Sequence, residues 1–468
     1  MKRPTLLEQM ELYCGTDALP MHMPGHKRNK ALAPYLNTLG AGLDLTEIHG
    51  FSDLHDPEGA LAERMEQAAA LWGSRRAWWL IGGSTAGLLA GIFSAVRPGE
   101  EVILARNCHR SVYHGAMLRR LEVRFLQSGL WPGQSFCGPV TPEAAEAAFQ
   151  AHPNSKLLVV TSPTYEGVVS DVAALADIAH AHGALLLVDE AHGAHLGISP
   201  VFGPSAVTLG ADLVVQSLHK TLPSLTQTGL LHLCSGRVDE AEVGHWLSVF
   251  ETSSPSYLLM ASIDGCVRLL SENGKAVFGS WAEGLQAFRN EVGELKRLSL
   301  PLMGHPLADQ SKLVISTLGT ELTGPALMDR LRWEEQIELE MAAADYVVAM
   351  TGAGDTPEGL VRFAQALRKI DGEIAGGRTE RVPLLPLPEQ CCPMYEAVER
   401  PFRLTALEES AGAIAADFLW AYPPGIPLIA PGERIPSELA AYAKTCRRAG
   451  MELHTARQTP AGQLRVMR

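Results

Sequence analysis

Short apolar runs alternate with amphipathic stretches between residues 61 and 233, and this alternation predicts a layered α/β fold. The runs at 157–161 and 184–188 show no polar alternation, so both faces of each strand are expected to be buried. Strands of this kind belong to a mostly parallel sheet flanked by helices. We predict seven strands, at residues 77–81, 101–105, 122–126, 157–161, 184–188, 213–216 and 229–233. The predicted helices among them are residues 61–72, 84–96, 110–121, 141–151 and 171–182.

Beyond residue 240, the regular alternation of strands and helices gives way to long helical stretches and a smaller α/β unit. Helical periodicity covers residues 241–251, 257–270 and 276–295, and a smaller α/β unit follows, with strands at 311–316 and 346–350 and a helix at 358–369. A Pro- and Gly-rich stretch at 376–390 is typical of a linker, and helices are predicted at 404–416 and 436–450. The predicted domains are an N-terminal arm lining the site (1–60), a large domain (61–300), a small α/β domain (301–375) and a C-terminal segment (376–468).

Charge and cysteine content narrow the class of protein. The net charge of −13 over 468 residues argues against nucleic acid or an anionic membrane as the main partner. Eight cysteines without a CxxC pair favour unpaired thiols in a reducing cytoplasm, and the first residues lack the apolar core of a signal peptide. Residues 77–96 carry no charge and are long enough to span a bilayer, but the glycines at their centre favour a strand, a turn and a buried helix.

One lysine stands out by its surroundings. Between residues 210 and 233, the only charged side chain besides Lys220 is Asp212. Because desolvation disfavours the ammonium form, a lysine in such a place is suited to attack a carbonyl group as a nucleophile. Lys220 is therefore a candidate catalytic residue.

Two further features accompany Lys220. The segment IGGSTAG at residues 81–87 lies where a strand turns into a helix, and such a turn favours a phosphate group. Asp189 follows a buried strand, where a carboxylate needs a cation as partner. The order phosphate turn, aspartate, lysine is typical of enzymes that use pyridoxal 5′-phosphate (PLP). A metal site is the alternative, built from Asp189, Glu190, His192 and His195, although the two histidines lie three residues apart in a glycine-broken loop.

Eight segments together resemble the Orn/Lys/Arg decarboxylase family of fold type I PLP enzymes. In chain order they are HMPGHKR, DLTEI, GGSTAG, NCHRSVYHG, SPTYEG, DEAHGAH, SLHKTLPSLTQT and YPPGIPLIAPGE. The chain begins almost directly at the first of them, so it resembles the short form that lacks an N-terminal wing domain. The resemblance implies decarboxylation of arginine, lysine or ornithine to carbon dioxide and a polyamine-type amine. It also implies PLP as cofactor and a homodimer or higher homo-oligomer.

The resemblance further implies roles for single residues. Lys220 would form the Schiff base, Asp189 would pair with the pyridine nitrogen and His109 would stack on the ring. The implied catalytic set is Lys220, Asp189, His109 and His192. The implied cofactor-binding set is Ser84, Thr85, Ala86, His109, Asp189, His192, Ser217, His219 and Lys220. Glu433 would face the distal cation of the substrate, with Asp44 and Glu47 as alternatives.

Plainer interpretations remain open. His109 could cap the helix that follows it, Ser217 could be an ordinary hydroxyl at a strand end, and Glu433 could be an exposed turn residue. A PLP-dependent aminotransferase or carbon–sulfur lyase of the same fold is the alternative activity, and a non-catalytic binding protein is a further alternative.

Overall fold

The computed structural model describes residues 4–32, 34–377, 384–422, 426–448 and 450–468. The first helices are α1 (Leu6–Cys14), α2 (Pro34–Asn37) and α3 (Gly59–Trp72). The next strands are β1 (Arg76–Leu80), β2 (Glu101–Ala105), β3 (Glu122–Leu126), β4 (Leu157–Thr161), β5 (Leu185–Asp189), β6 (Leu213–Ser217) and β7 (Gly229–Leu233). The helices among them are α4 (Gly83–Ala95), α5 (Arg110–Leu118), α6 (Pro142–Ala151), α7 (Val172–Ala181) and α8 (Leu218–Thr221).

These seven strands form one sheet in the order β1-β7-β6-β5-β4-β2-β3. Strand β2 is parallel to β3 and β4, and β5 is parallel to β6. Strand β7 is antiparallel to β6 and β1. Strands β4, β6 and β7 are buried along their whole length, as expected for strands covered on both faces. The predicted mostly parallel seven-stranded sheet is confirmed.

The remaining elements form smaller sheets and their helices. The helices are α9 (Glu240–Phe250), α10 (Tyr257–Val292), α11 (Gly324–Glu335), α12 (Pro357–Glu373), α13 (Met394–Ala397) and α14 (Leu439–Arg448). The strands are β8 (Lys312–Ser316), β9 (Met341–Ala342), β10 (Tyr346–Met350), β11 (Phe402–Ala406), β12 (Leu419–Tyr422), β13 (Ile426–Ile429), β14 (Glu452–Thr455) and β15 (Gln463–Met467). They pair as β8-β10-β9, β11-β15 and β13-β12-β14, all antiparallel.

Helix boundaries follow their capping residues. Thr141 accepts a hydrogen bond from Ala144 N at the start of α6, and Asp171 accepts one from Ala174 N at the start of α7. Helix α3 ends where Gly73 takes a left-handed conformation with φ of 83°. Each cap supplies a partner for an end group that the helix itself leaves unpaired.

By compactness the chain divides into two units. The first unit comprises residues 1–95, 187–279 and 352–354, and the second comprises residues 96–186, 280–351 and 355–468. The domain boundaries expected at residues 60, 300 and 375 stay a prediction.

Two predicted elements were wrong. Residues 257–270 and 276–295 were expected to be two helices, but α10 runs unbroken from Tyr257 to Val292. Gly274 lies on the buried stripe that also carries Val267, Leu270 and Phe278, so packing outweighs its low helix propensity.

The expected helix at 404–416 instead begins with β11, followed by a short 3₁₀ turn, Leu407–Glu409. Strand β11 pairs with β15, placing Leu404 opposite Arg465. Residues 378–383 of the expected linker lie outside the described residues. The uncharged run 77–96 forms most of β1 and all of α4, and no helix in the described part of the chain is both long and apolar enough to cross a membrane.

Candidate active site

Lys220 lies on α8, the single helical turn that follows β6 in the first unit. Its Nζ atom is 2.9 Å from Nε2 of His192. Asp189 ends the neighbouring strand β5 and pairs in register with Val215 of β6. The parallel pairing of these two strands brings Asp189 and Lys220 to one edge of the sheet, the edge where open α/β sheets bind ligands.

Asp189 has a buried carboxyl group, and Lys220 is the charged side chain that acts on its pKa. Asp189 is only 2% exposed, and its Oδ1 accepts a hydrogen bond of 3.1 Å from Ala191 N. Burial raises the pKa of Asp189 above its usual value, and the nearby Lys220 opposes that rise without cancelling it. A further cation beside Asp189 would therefore stabilise its ionised form. A protonated pyridine nitrogen supplies such a cation, so the observed environment of Asp189 fits PLP.

The predicted phosphate turn, residues 81–87, also belongs to the first unit. Gly83 has φ of 73°, a conformation that favours glycine, and α4 begins at this residue. Ser84 Oγ lies 2.6 Å from Ser217 Oγ, so hydroxyl groups from the starts of α4 and α8 meet. Thr85 is exposed and Ala86 is buried within α4. Two adjacent hydroxyls at a helix N-terminus form a suitable place for a phosphate group.

His219 completes this group of residues. Its Nδ1 lies 2.9 Å from the carbonyl oxygen of Thr228. Burial lowers the pKa of His219, so the imidazole is neutral and its Nδ1–H donates to that carbonyl. Nε2 then keeps its lone pair.

The contacts of Glu190 do not support the alternative interpretation of this region as a metal site. Its carboxylate accepts hydrogen bonds from Ser205 Oγ at 2.6 Å, from Ala206 N at 2.7 Å and from Gln216 Nε2 at 2.7 Å. These donors occupy three of the roughly four lone-pair sites of the carboxylate, so Glu190 is already well satisfied within the protein. Within the described ranges no group of three or more His, Cys, Asp and Glu residues has the geometry of a metal site.

A buried polar chain behind Asp189 was missed by sequence reasoning. From Glu190 it continues through Gln216, whose Oε1 lies 3.1 Å from Nε2 of His232, and ends where Ser74 Oγ lies 3.0 Å from Nδ1 of His232. Burial lowers the pKa of His232 to about 3, so its ring is neutral. Nothing in the local pattern of apolar residues distinguishes Gln216 and His232 from residues facing solvent.

His109 and Glu433 lie in the second unit. His109 is the N-cap of α5, and its Nδ1 accepts from Ser111 N at 3.3 Å. The capping alternative is therefore observed, and stacking on the ring stays a prediction. Glu433 is fully buried rather than exposed. Arg106 donates two hydrogen bonds to its carboxylate, one of them 3.0 Å long, and Ala430 N donates a third of 2.7 Å.

The alternative acidic residues belong to the first unit. Asp44 Oδ2 lies 3.4 Å from His26 Nε2. Glu47 accepts a hydrogen bond from the hydroxyl of Thr46, while its Oε1 is buried without a hydrogen-bond partner among the described residues.

Comparisons with known proteins identify the family of the chain. The sequence profile for "Orn/Lys/Arg decarboxylase, major domain" matches residues 4–312, and the profile for the C-terminal domain matches residues 369–453. An arginine decarboxylase from Halalkalibacterium halodurans is 30% identical over 98% of either chain. An arginine decarboxylase from Bacillus anthracis is 28% identical over 96% of this chain and 94% of its own.

A solved structure has a similar fold. The lysine decarboxylase LdcF of Francisella novicida has a TM-score of 0.85 and 18% identity, covering 99% of this chain and 80% of that one. This likeness confirms the predicted fold type I architecture. The two profiles together cover most of the chain. The chain therefore belongs to the Orn/Lys/Arg decarboxylase family.

Proposed function

We propose that arginine is the substrate of this protein, which as a family member is a PLP-dependent decarboxylase of basic amino acids. The observation that carries the chemistry is the buried Asp189 beside Lys220 at one edge of the sheet. Arginine is favoured over lysine and ornithine because both relatives described above, which match almost the whole chain, are arginine decarboxylases.

The proposed residue roles follow from chemistry at stated atoms. When bound, PLP accepts the electron pair that decarboxylation leaves on the substrate Cα. Lys220 would hold the cofactor covalently, and Asp189 would keep a proton on the ring nitrogen. His192 Nε2, 2.9 Å from Lys220 Nζ, can take a proton from the ammonium group and return it. His109 is proposed to face the ring.

The phosphate group is proposed to lie in the turn at the start of α4. Ser84, Thr85, Ser217 and His219 are the proposed ligands, with the backbone of Ala86 beside them. Ser84 and Ser217 already meet at 2.6 Å, which supports a shared ligand. Residues that hold the phosphate would help to position the cofactor, and orientation of the reacting groups is a large part of catalysis.

The distal guanidinium of the substrate needs a carboxylate, because burying an unpaired cation costs several kcal/mol. We retain Glu433 as the proposed partner, with Asp44 and Glu47 as alternatives. Arg106 already balances the charge of Glu433, whereas Glu47 has a buried oxygen without a partner among the described residues. Substitution of each glutamate in turn separates the two assignments.

We also infer a cytoplasmic homodimer or higher homo-oligomer. None of the eight cysteines, all within the described ranges, forms a disulfide, which supports a reducing compartment. Large apolar side chains of the N-terminal segment are exposed by 61–82%, and a second copy of the chain is the proposed cover. They are Leu12, Leu19, Met21, Met23, Leu32, Tyr35 and Leu39.

A product assay tests the function. PLP-loaded protein is incubated separately with arginine, lysine and ornithine, and carbon dioxide and the amine are quantified. We expect kcat/KM for arginine to exceed the other two by roughly tenfold or more, as a head group matched by hydrogen bonds requires. Preference for lysine or ornithine would overturn the substrate, and a keto acid product would overturn decarboxylation in favour of an aminotransferase.

A further inference from the structure

Glu251 is a buried carboxyl group that none of the roles above uses. It follows the last residue of α9, and its backbone N–H donates a hydrogen bond of 2.8 Å to Leu247 O. The residue is 8% exposed, and neither carboxyl oxygen has a hydrogen-bond partner of good geometry among the described residues. A buried carboxylate that lacks a well-aligned hydrogen-bond donor is costly, so this group calls for an explanation.

The carboxyl group lies against the phosphate turn. A Cβ atom placed on Gly82 would be 2.9 Å from Glu251 Oε2, so only glycine fits at this contact without movement. Gly82 directly precedes Gly83, where α4 begins. Both residues belong to the first unit, together with Ser84, Ser217 and Lys220. Glu251 is therefore next to the backbone that is proposed to hold the phosphate group.

The environment of Glu251 favours its neutral form. Burial raises the pKa of Glu251 to about 7, and the backbone amides of Gly82 and Ile81 oppose the rise only in part. At neutral pH this carboxyl group is therefore divided between its two forms.

Neighbouring charges do not account for the shift. Helix α4 carries no charged side chain, and the loop at 252–256 carries none either, but His55 contacts this loop, with Nε2 2.9 Å from Thr252 O. Helix α9 has Glu240, Glu242 and His245, and β7 has His232, which burial keeps neutral. None of them is among the causes of the raised pKa.

We propose that Glu251 positions the phosphate turn and takes up a proton from solvent when a phosphate group binds there, so that cofactor binding and protonation of this carboxyl group are coupled. A bound phosphate carries close to two negative charges. Placed beside the turn, it disfavours a second anion at Glu251, and the neutral carboxyl can remain against Gly82 without repulsion. The proposal rests on the assignment of the turn as the phosphate site.

Calorimetry on the full-length protein freed of cofactor tests the coupling. The probe is 4′-deoxypyridoxine 5′-phosphate, an analogue without the aldehyde, titrated at pH 7.5 in buffers of different ionisation enthalpy to count protons. If the phosphate raises the pKa of Glu251 by about one unit, the wild type takes up about half a proton more than Glu251→Gln. The affinity of the wild type also falls about sixfold more than that of the variant between pH 6.5 and 8.5.

Glu240→Gln is the matched control. It removes a carboxylate from the first residue of α9, at the end opposite Glu251, where Glu240 is exposed and pairs with Arg76. Any proton taken up at the ring nitrogen beside Asp189 is common to all three proteins and cancels in the difference. Equal proton uptake by the wild type and Glu251→Gln would overturn the proposal.

Two further ligands, sulfate and unphosphorylated 4′-deoxypyridoxine, test the proposal on the wild-type protein alone. Sulfate has no titrating proton in this pH range and no ring nitrogen, so its binding to the wild type must show proton uptake even if Glu251→Gln fails to fold. Sulfate binding without uptake overturns the coupling. If unphosphorylated 4′-deoxypyridoxine binds as tightly as its phosphate, the turn is not the phosphate site, and that failure is distinct from a failure of the coupling.

Discussion

Asp189 shows how one buried carboxyl group gains its chemistry from position alone. It ends a strand that is buried at every residue after the first, and burial raises its pKa while one lysine opposes the rise. A pyridinium proton placed against this carboxylate is held strongly, because the only alternative is an unpaired buried anion.

Replacement of Asp189 by Asn keeps the shape of the side chain and removes its charge. We expect the cofactor still to bind and carbon dioxide release to fall by about 10³-fold or more, since the ring nitrogen loses its proton and the electron sink fails. Steady-state rates measure this loss. Borohydride reduction and peptide mapping, which should place the cofactor label on Lys220 in both proteins, verify that the site is still loaded. Near-normal turnover would show that Asp189 has another role.

Glu433 and Glu47 allow a matched pair of substitutions. Glu433→Gln is expected to raise KM for arginine by roughly tenfold, because one charge-assisted hydrogen bond to a cation is worth about 1.5–3 kcal/mol. It should also lower Tm, since Arg106 loses the carboxylate that now neutralises it. If KM is unchanged in Glu433→Gln and raised in Glu47→Gln, the distal cation belongs to Glu47.

At the scale of elements, β5, β6 and β7 are connected by side chains as well as by their ladders. The chain from Glu190 through Gln216 to His232 and Ser74 pairs each polar atom with a partner of matching role. Because His232 is neutral, its Nε2–H donates to Gln216 Oε1 and its Nδ1 accepts from Ser74. This buried chain holds the loop after Asp189 against the neighbouring strands.

Gln216→Leu removes the central member of this chain. Glu190 loses a donor and His232 loses an acceptor, so we expect a loss of unfolding free energy of roughly 2–4 kcal/mol. Chemical denaturation followed by circular dichroism measures it. The exposed Gln150→Leu is the control, with an expected change within about 0.5 kcal/mol. A loss of similar size in both variants would mean that the chain contributes no special stability.

Periodicity predicted the main sheet because its strands are short, apolar and covered on both faces. Strands β2, β3, β4 and β7 begin and end at the predicted residues. The sequence failed where pairing is distant, as in β11, whose partner β15 lies some sixty residues further on. It also failed at Gly274, where tertiary packing overrides propensity.

For the site, the local sequence drew attention to Asp189, Lys220 and the turn at residues 81–87, and all three belong to one compact unit. It could not identify contacts made by residues distant in the chain. The ion pair of Arg106 with Glu433 and the contact of Glu251 with Gly82 each join segments more than 150 residues apart. The residues next to each partner in the sequence do not indicate that these contacts form.

At the scale of the whole molecule, the exposed apolar side chains of the N-terminal segment support the proposed homodimer. Replacing Leu19, Met21 and Leu32 by serine removes three of them, each at least 75% exposed. We expect the wild type to sediment as a dimer and the triple variant to dissociate at micromolar concentration, since the apolar area lost is worth several kcal/mol at about 25 cal/mol per Å². A monomeric wild type would contradict the proposal.

The buried thiols can report local unfolding of this protein, because each can be alkylated only when the structure around it opens. Cys266 lies in the first compact unit, and Cys108 and Cys446 lie in the second, each at most 2% exposed. Burial raises the pKa of Cys266 and of Cys446, so both thiols are slow to react while the fold is closed. The rate at which an alkylating reagent modifies each of them in native buffer therefore reports the opening of its own region. Equal rates would identify one cooperative unit, and unequal rates would identify the region that unfolds first.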